Sequence, residues 1–130
     1  VALEKLYMNC LYKLNRGYGF NGNTTAFIEM EDGINEHGLA VGLTFIYPKI
    51  IKAGFNSGML VRYLLEKCKT TSEVIESLNM IPIASQQTLS VIDNAGNFAV
   101  IECNCSHIEI ITMPSIIGIQ MKGIRLPIMC

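Results

Sequence analysis

Two helical patterns stand back to back between Ser57 and Leu78, with strand-like sequence on either side, and that order leaves few architectures open. Ser57 caps a helix running to about Cys68, in which Met59, Leu60, Tyr63, Leu64 and Cys68 fall on adjoining helical positions. Thr70 and Glu73 have the spacing of a capping box, and Val74, Ile75 and Leu78 supply the apolar stripe of a second helix that Pro82 ends. Upstream, residues 24–30 and 39–47 are β-rich, the second run stopped by Pro48, which cannot donate to a ladder. Downstream, residues 88–92 and 98–103 flank Asp93-Asn94-Ala95-Gly96, a hairpin turn with Gly where positive φ is wanted, and residues 107–112 can pair next. The order strand, strand, helix, helix, strand, strand, strand predicts an α+β domain, an antiparallel sheet covered by two helices on one face.

At 130 residues and 50% hydrophobic, the chain is expected to form a single, partial domain spanning residues 1–130. Its 16% charged residues fall below the roughly 25% of ordinary soluble domains. Mean hydropathy is +0.35, so some apolar surface is expected to need a covering partner or a larger sheet. Ten basic and eleven acidic residues leave a net charge of −1, which provides no electrostatic footprint for nucleic acid or an anionic membrane. No window reaches the roughly 18–20 apolar residues of a membrane span. The opening Val1-Ala2-Leu3-Glu4-Lys5 does not suit a secretory or transit signal. Cys10, Cys68, Cys103, Cys105 and Cys130 are odd in number and scattered, unlike a disulfide scaffold, so reduced thiols and a cytoplasmic location are expected.

Two stretches resist assignment. Leu3, Leu6, Tyr7, Cys10 and Leu11 are spaced like a helix face, yet Tyr and Cys also suit a strand. Beyond Pro114 the sequence is apolar without cap or period, and residues 114–130 are left as a tail of uncertain structure. Residues 16–23 are dense in Gly and Asn and read as a loop. Gly17, Gly19 and Gly22 there match the spacing of a dinucleotide fingerprint, but strand-like sequence follows where a helix is required, which excludes that reading.

The most informative stretch runs from Glu31 to Phe45: Glu-Asp-Gly-Ile-Asn-Glu-His-Gly-Leu-Ala-Val-Gly-Leu-Thr-Phe. Gly33 and Gly38 permit a tight crossing between two strands with Asn35 held at the sheet end. From the residues alone two roles stay open: an amide presented to a ligand, or an Asn that satisfies its own backbone.

This block resembles the linear-amide C–N hydrolases: choloylglycine hydrolases, penicillin V acylases and the related acyl-CoA:6-aminopenicillanate acyltransferases. The similarity extends from about Asn23 to Asn104, through both helices and the strand ending Val100-Ile101-Glu102-Cys103-Asn104. It implies part of an N-terminal-nucleophile αββα sandwich and no cofactor. It also implies a small-molecule amide substrate such as a bile-acid conjugate, penicillin V or an acyl amino acid. In such enzymes an N-terminal Cys thiolate attacks the amide while its own α-amino group, which titrates near neutral pH, acts as base. By this resemblance Asn35 is the side-chain donor of the oxyanion hole, and Phe45 and Tyr47 are walls of the acyl pocket, with core packing a competing role for Phe45.

The pattern also departs from the family's. Val1 carries no nucleophile, and Arg16 is too close to Asn35, with Gly19 where an Asp is wanted, to supply the family's Arg-Asn-x-Asp motif. The chain is therefore expected to be an internal, incomplete or inactive piece of such an enzyme, working in a homo-oligomer or with a complementing chain.

Other readings rank below this one. Cys103 and Cys105, two apart on a strand, share a face and with His107 make at most three ligands of a soft metal; buried free thiols are the competing explanation, and no metal is expected. His37 reads as an exposed turn residue, and Glu102 as an acid answered by Lys67, Lys69 or solvent. The alternative function is a non-catalytic interaction module docking through an unpaired strand edge and the apolar tail.

Overall fold

The computed structural model describes residues 5–113. Seven strands and two helices follow in the order β1 (Met8–Tyr12), β2 (Phe20–Thr24), β3 (Asp32–Asn35), β4 (Ala40–Thr44), α1 (Ser57–Lys67), α2 (Thr71–Met80), β5 (Gln87–Ile92), β6 (Phe98–Cys103) and β7 (Ile108–Met113). The strands form one antiparallel sheet in sequence order, β1 to β7. Both helices lie between the adjacent strands β4 and β5, so the chain leaves the sheet once, builds the helical layer and returns beside its point of departure. This is the expected α+β architecture.

Alternation along the strands decides what each face does. Leu89 and Val91 on β5 and Ala99, Ile101 and Cys103 on β6 are buried, while Ser90 and Glu102 between them are exposed. The buried set meets Leu60, Val61, Leu64 and Leu65 of α1 and Val74 and Leu78 of α2, so the core lies between sheet and helices. Gly33 lets α1 come this close: a Cβ there would lie 2.7 Å from the Leu65 side chain and 2.7 Å from the Asn21 carbonyl. On the opposite face a shallow cavity of about 380 Å3 runs over the small residues Ala40, Gly42 and Ser90 between Ile34 and Phe98.

Several local expectations are corrected. The undecided N-terminal segment contains strand β1. Residues 20–23, read as loop, belong to β2, where Phe20, Gly22 and Thr24 are buried and Asn21 and Asn23 face the other way. The expected strand over residues 24–30 is a loop after Thr24, and β4 ends at Thr44, before Phe45 and Tyr47. Asn56 rather than Ser57 caps α1, its side chain accepting from Met59 N at 2.9 Å. Thr70 caps α2 as expected, accepting from Glu73 N, while the Glu73 carboxylate turns back to Lys69 N at 2.6 Å. No helix among the described residues is long and apolar enough to cross a membrane. The tail over residues 114–130 lies outside the described residues, as does Cys130.

Candidate functional site

Asn35 closes β3, and the turn Glu36-His37-Gly38 that follows reverses the chain, with Gly38 at φ +80°. The Asn35 side chain is buried, 5% exposed, and every part of its amide is engaged. Nδ2 donates to the carbonyls of Leu65 at 3.0 Å and Cys68 at 2.7 Å. Oδ1 accepts from the backbone N–H groups of His37 and Leu39, both at 3.1 Å. An amide has two N–H donors and two acceptor lone pairs, so these four bonds use its full capacity. The residue ties the β3–β4 turn to the end of α1, where helix carbonyls lack intrahelical partners. The geometry makes Asn35 an architectural tie with no donor left to stabilise an oxyanion.

The opposite end of the strands is more open. Here β2 and β4 finish and α1 begins, and they enclose a cavity of about 410 Å3 whose wall includes Thr24, Ala26, Glu31, Leu43, Phe45 and Gly58. Phe45 therefore does line a cavity, but it is 68% exposed and takes no part in the core. Tyr47 is 82% exposed and lies outside that wall; its backbone carbonyl accepts from Gln86 Nε2 at 3.0 Å. The structure thus brings Phe45 to a cavity, leaves Tyr47 outside its wall, and places Asn35 at the other end of the strands.

The segment from Thr25 to Glu31 forms much of this wall and carries an unusual backbone. Phe27 has φ +59°, the left-handed region, and is the one non-glycine residue with positive φ among the described residues. For an L-residue this costs about 1–2 kcal/mol, so something must hold it. Tyr12 Oη donates to the Phe27 carbonyl at 3.3 Å, and Arg62 Nη1 donates to the Ile28 carbonyl at 2.9 Å. Met30 N donates to the Gly58 carbonyl at 3.1 Å, Asn56 Nδ2 donates to Glu29 at 2.6 Å, and Thr25 donates to Glu31. Arg62 is itself fixed by Glu66 at 2.7 Å and lies over the rings of Tyr12 and Phe20, which stack with centroids 4.8 Å apart.

A polar ladder on the open face was not anticipated. Asn9 Nδ2 donates to Asn21 Oδ1 at 2.8 Å and Asn23 Oδ1 at 2.9 Å, and Asn23 Nδ2 donates to Asp32 at 2.6 Å. The signal was present in the alternation Phe20, Asn21, Gly22, Asn23, Thr24, which has the period of a strand with one buried face.

The cysteines fall into two groups. Burial pushes the Cys68 thiol up, with Glu73 adding to it, against a hydrogen bond shared with Ser77 at 3.3 Å. Burial likewise raises the Cys103 thiol, opposed by Gln87 Nε2 at 3.7 Å. A raised pKa withholds the thiolate, so neither is an activated nucleophile. Cys105 lies in the turn after β6 and does not share a strand face with Cys103, and among the described residues no group of three His, Cys, Asp or Glu is placed to hold a metal. Glu102 has no lysine partner among the described hydrogen bonds and ion pairs; its cross-strand neighbours are Thr88 and Glu109.

The family model for acyl-coenzyme A:6-aminopenicillanic acid acyl-transferase matches residues 2–119. The chain belongs to this family. Among solved structures, penicillin V acylase from Agrobacterium tumefaciens superposes with a TM-score of 0.63 at 22% identity, covering 78% of this chain and 35% of that one. Two variants of the conjugated bile acid hydrolase from Clostridium perfringens superpose with TM-scores of 0.54 and 0.58 at 19% and 18% identity, each covering 82% of this chain and 42% of the other. These superpositions show that this acyl-transferase family member shares its fold with penicillin V acylase and conjugated bile acid hydrolase, as expected from the Glu31–Phe45 block. The chain spans about two-fifths of the length of the structures it matches. No curated protein matches the sequence.

Proposed function

We propose that this sequence serves a cysteine-type N-terminal-nucleophile enzyme that cleaves, or transfers the acyl group of, a linear amide. Bile-acid conjugates, penicillin V and acyl amino acids are the substrate classes. Family membership over residues 2–119 is the observation that carries the reading, and the cavity beside Phe45 supports it by offering a partly apolar recess at the strand ends. The reading assigns the nucleophilic sulfur to an N-terminal Cys, as in cysteine-type enzymes of this kind, and the buried thiols of Cys68 and Cys103 are unsuited to replace it. This chain contributes one sheet, its helical layer and a wall of the acyl site. An oxyanion donor is likewise sought elsewhere, because the Asn35 amide is spent on main-chain partners.

The test is release of free amine from penicillin V, glycocholate and a set of N-acyl amino acids by protein carrying an N-terminal Cys ahead of this sequence. Release from one of these, abolished by Cys→Ala at that terminus, is the expected result. Absence of release from every linear amide overturns the reading.

A further inference from the structure

The connection from β4 to α1, residues 45–56, exposes apolar side chains that the core does not use. Phe45, Ile46, Tyr47, Ile50 and Ile51 fall close together in sequence, and Tyr47, Ile50 and Ile51 are 82%, 62% and 71% exposed. Single exposed apolar residues need no explanation, but a run of them on one connection marks an interaction surface. The run is also fixed in place. Gln86 Nε2 donates to the Tyr47 carbonyl at 3.0 Å, Lys52 N to the Ala84 carbonyl at 2.8 Å, and Phe55 N to the Pro82 carbonyl at 2.8 Å. A surface held before its partner arrives loses less freedom on docking.

Charge beside the run selects the partner. Residues 45–56 hold Lys49 and Lys52 and no acid. Lys52 Nζ donates to Ser106 Oγ at 3.4 Å, whereas Lys49 is exposed and has no partner among the described hydrogen bonds and ion pairs. Ile46 and Gln86 share the wall of a cavity of about 240 Å3 with Glu102, Glu109 and His107. Glu102 and Glu109 are direct cross-strand neighbours on β6 and β7, both exposed, and two carboxylates so placed repel each other. Neither is joined to a cation, His107 included, among the described hydrogen bonds and ion pairs. An anionic lipid surface would suit Lys49 but be repelled by this acid pair. An unpaired lysine and an unpaired acid pair beside one apolar run instead make a surface complementary to itself under a two-fold rotation.

We propose that residues 45–51 and the Glu102–Glu109 pair form the interface of a symmetric dimer, in which a second copy of this chain docks run against run and the Lys49 of each copy meets the acid pair of the other. The inference does not depend on the amide-cleaving reading, which amine release decides separately.

The experiment measures the dimer dissociation constant of the full chain by sedimentation velocity over a range of concentrations, for wild type and for charge-reversed variants. Lys49→Glu alone, and Glu102→Lys with Glu109→Lys, are each expected to weaken the dimer by about tenfold or more, because like charges then face each other across the interface. All three reversals together restore opposite signs, and the constant is expected to return to within about threefold of wild type. Tyr47→Ala removes an exposed ring at the centre of the run and is expected to weaken the dimer by about tenfold. These side chains lie at the surface, so Tm of each variant should stay within about 2 °C of wild type. A chain that is monomeric at every concentration overturns the proposal. So does a dimer indifferent to Lys49→Glu and Tyr47→Ala, which would join through another surface, and so does a triple variant no tighter than the single reversal. A monomer that instead sediments with phosphatidylcholine–phosphatidylglycerol vesicles overturns it in favour of a lipid surface.

Discussion

The side-chain amide of Asn35 reaches the carbonyl of Cys68 at 2.7 Å, joining a hairpin turn to a helix end 33 residues away. Its second N–H goes to Leu65, and its oxygen gathers two turn N–H groups, so one side chain satisfies four main-chain groups. Asn35→Ala leaves those groups buried without partners, at about 1–3 kcal/mol each where water cannot reach them. A net loss of about 3 kcal/mol in urea unfolding is expected, large for one polar residue. A catalytic donor with no structural duty would instead unfold at the wild-type midpoint.

Gly33 faces Leu65 across the sheet–helix interface. A methyl group there has backbone on one side, the Asn21 carbonyl at 2.7 Å, and the end of the packed Leu65 side chain at 2.7 Å on the other, so the strand backbone and that side chain must shift. Gly33→Ala is expected to cost about 1–3 kcal/mol through overpacking. The double variant with Leu65→Ala should recover part of that loss, because removing the leucine side chain opens the space the methyl needs. Thermal unfolding of the four proteins in the cycle measures the coupling.

Local chemistry made some elements readable and tertiary chemistry hid others. Thr70 and Glu73 signal the start of α2 within four residues, and the Asp93–Gly96 turn separates β5 from β6, so these were legible in the sequence. Residues 20–23 were not. Gly22 was read as part of a loop, but it serves close packing within β2, with an added Cβ only 2.7 Å from the Met30 sulfur and the Asp32 carbonyl. Thr25, Phe27 and Ile28 have strand propensity, and ties from Tyr12 and Arg62 override it. The ties of Asn35 to α1 were hidden for the same reason, since its helix partners are 30 and 33 residues away and no local pattern announces them. Only the family resemblance carried across that distance, and it located the fold.

Thiol reactivity should divide the cysteines by burial. Cys68 and Cys103 are buried with raised pKa, whereas Cys10 and Cys105 are partly exposed. Under native conditions near pH 8, iodoacetamide is expected to modify Cys10 and Cys105 first. Cys68 and Cys103 should react only in denaturant. Peptide mapping by mass spectrometry after timed quenching checks the order. Early modification of Cys103 would mean that the β6 end opens readily and would return that thiol to consideration as a nucleophile.

Acid should loosen the α2 end through Asp93. Burial works against its charge, but hydrogen bonds from the Asn97 side chain and from the backbone N–H groups of Thr71, Asn97 and Ala95 outweigh it and hold the carboxyl below the ordinary aspartate value. The folded pKa therefore lies below the unfolded value of about 3.9. Linkage gives the sign: the unfolded chain takes up the proton first as pH falls, so the stabilisation is complete above the unfolded pKa and is lost as pH drops through the folded one. Asp93→Asn, which puts an amide N–H toward Thr71 N or Ala95 N, is expected to cost about 2 kcal/mol at neutral pH. The gap between wild type and variant should narrow below about pH 4, where the wild-type carboxylate loses its advantage. Denaturant midpoints of both proteins across this range measure the convergence, and a gap that stayed constant to the lowest pH at which both fold would show that the charge of Asp93 contributes nothing.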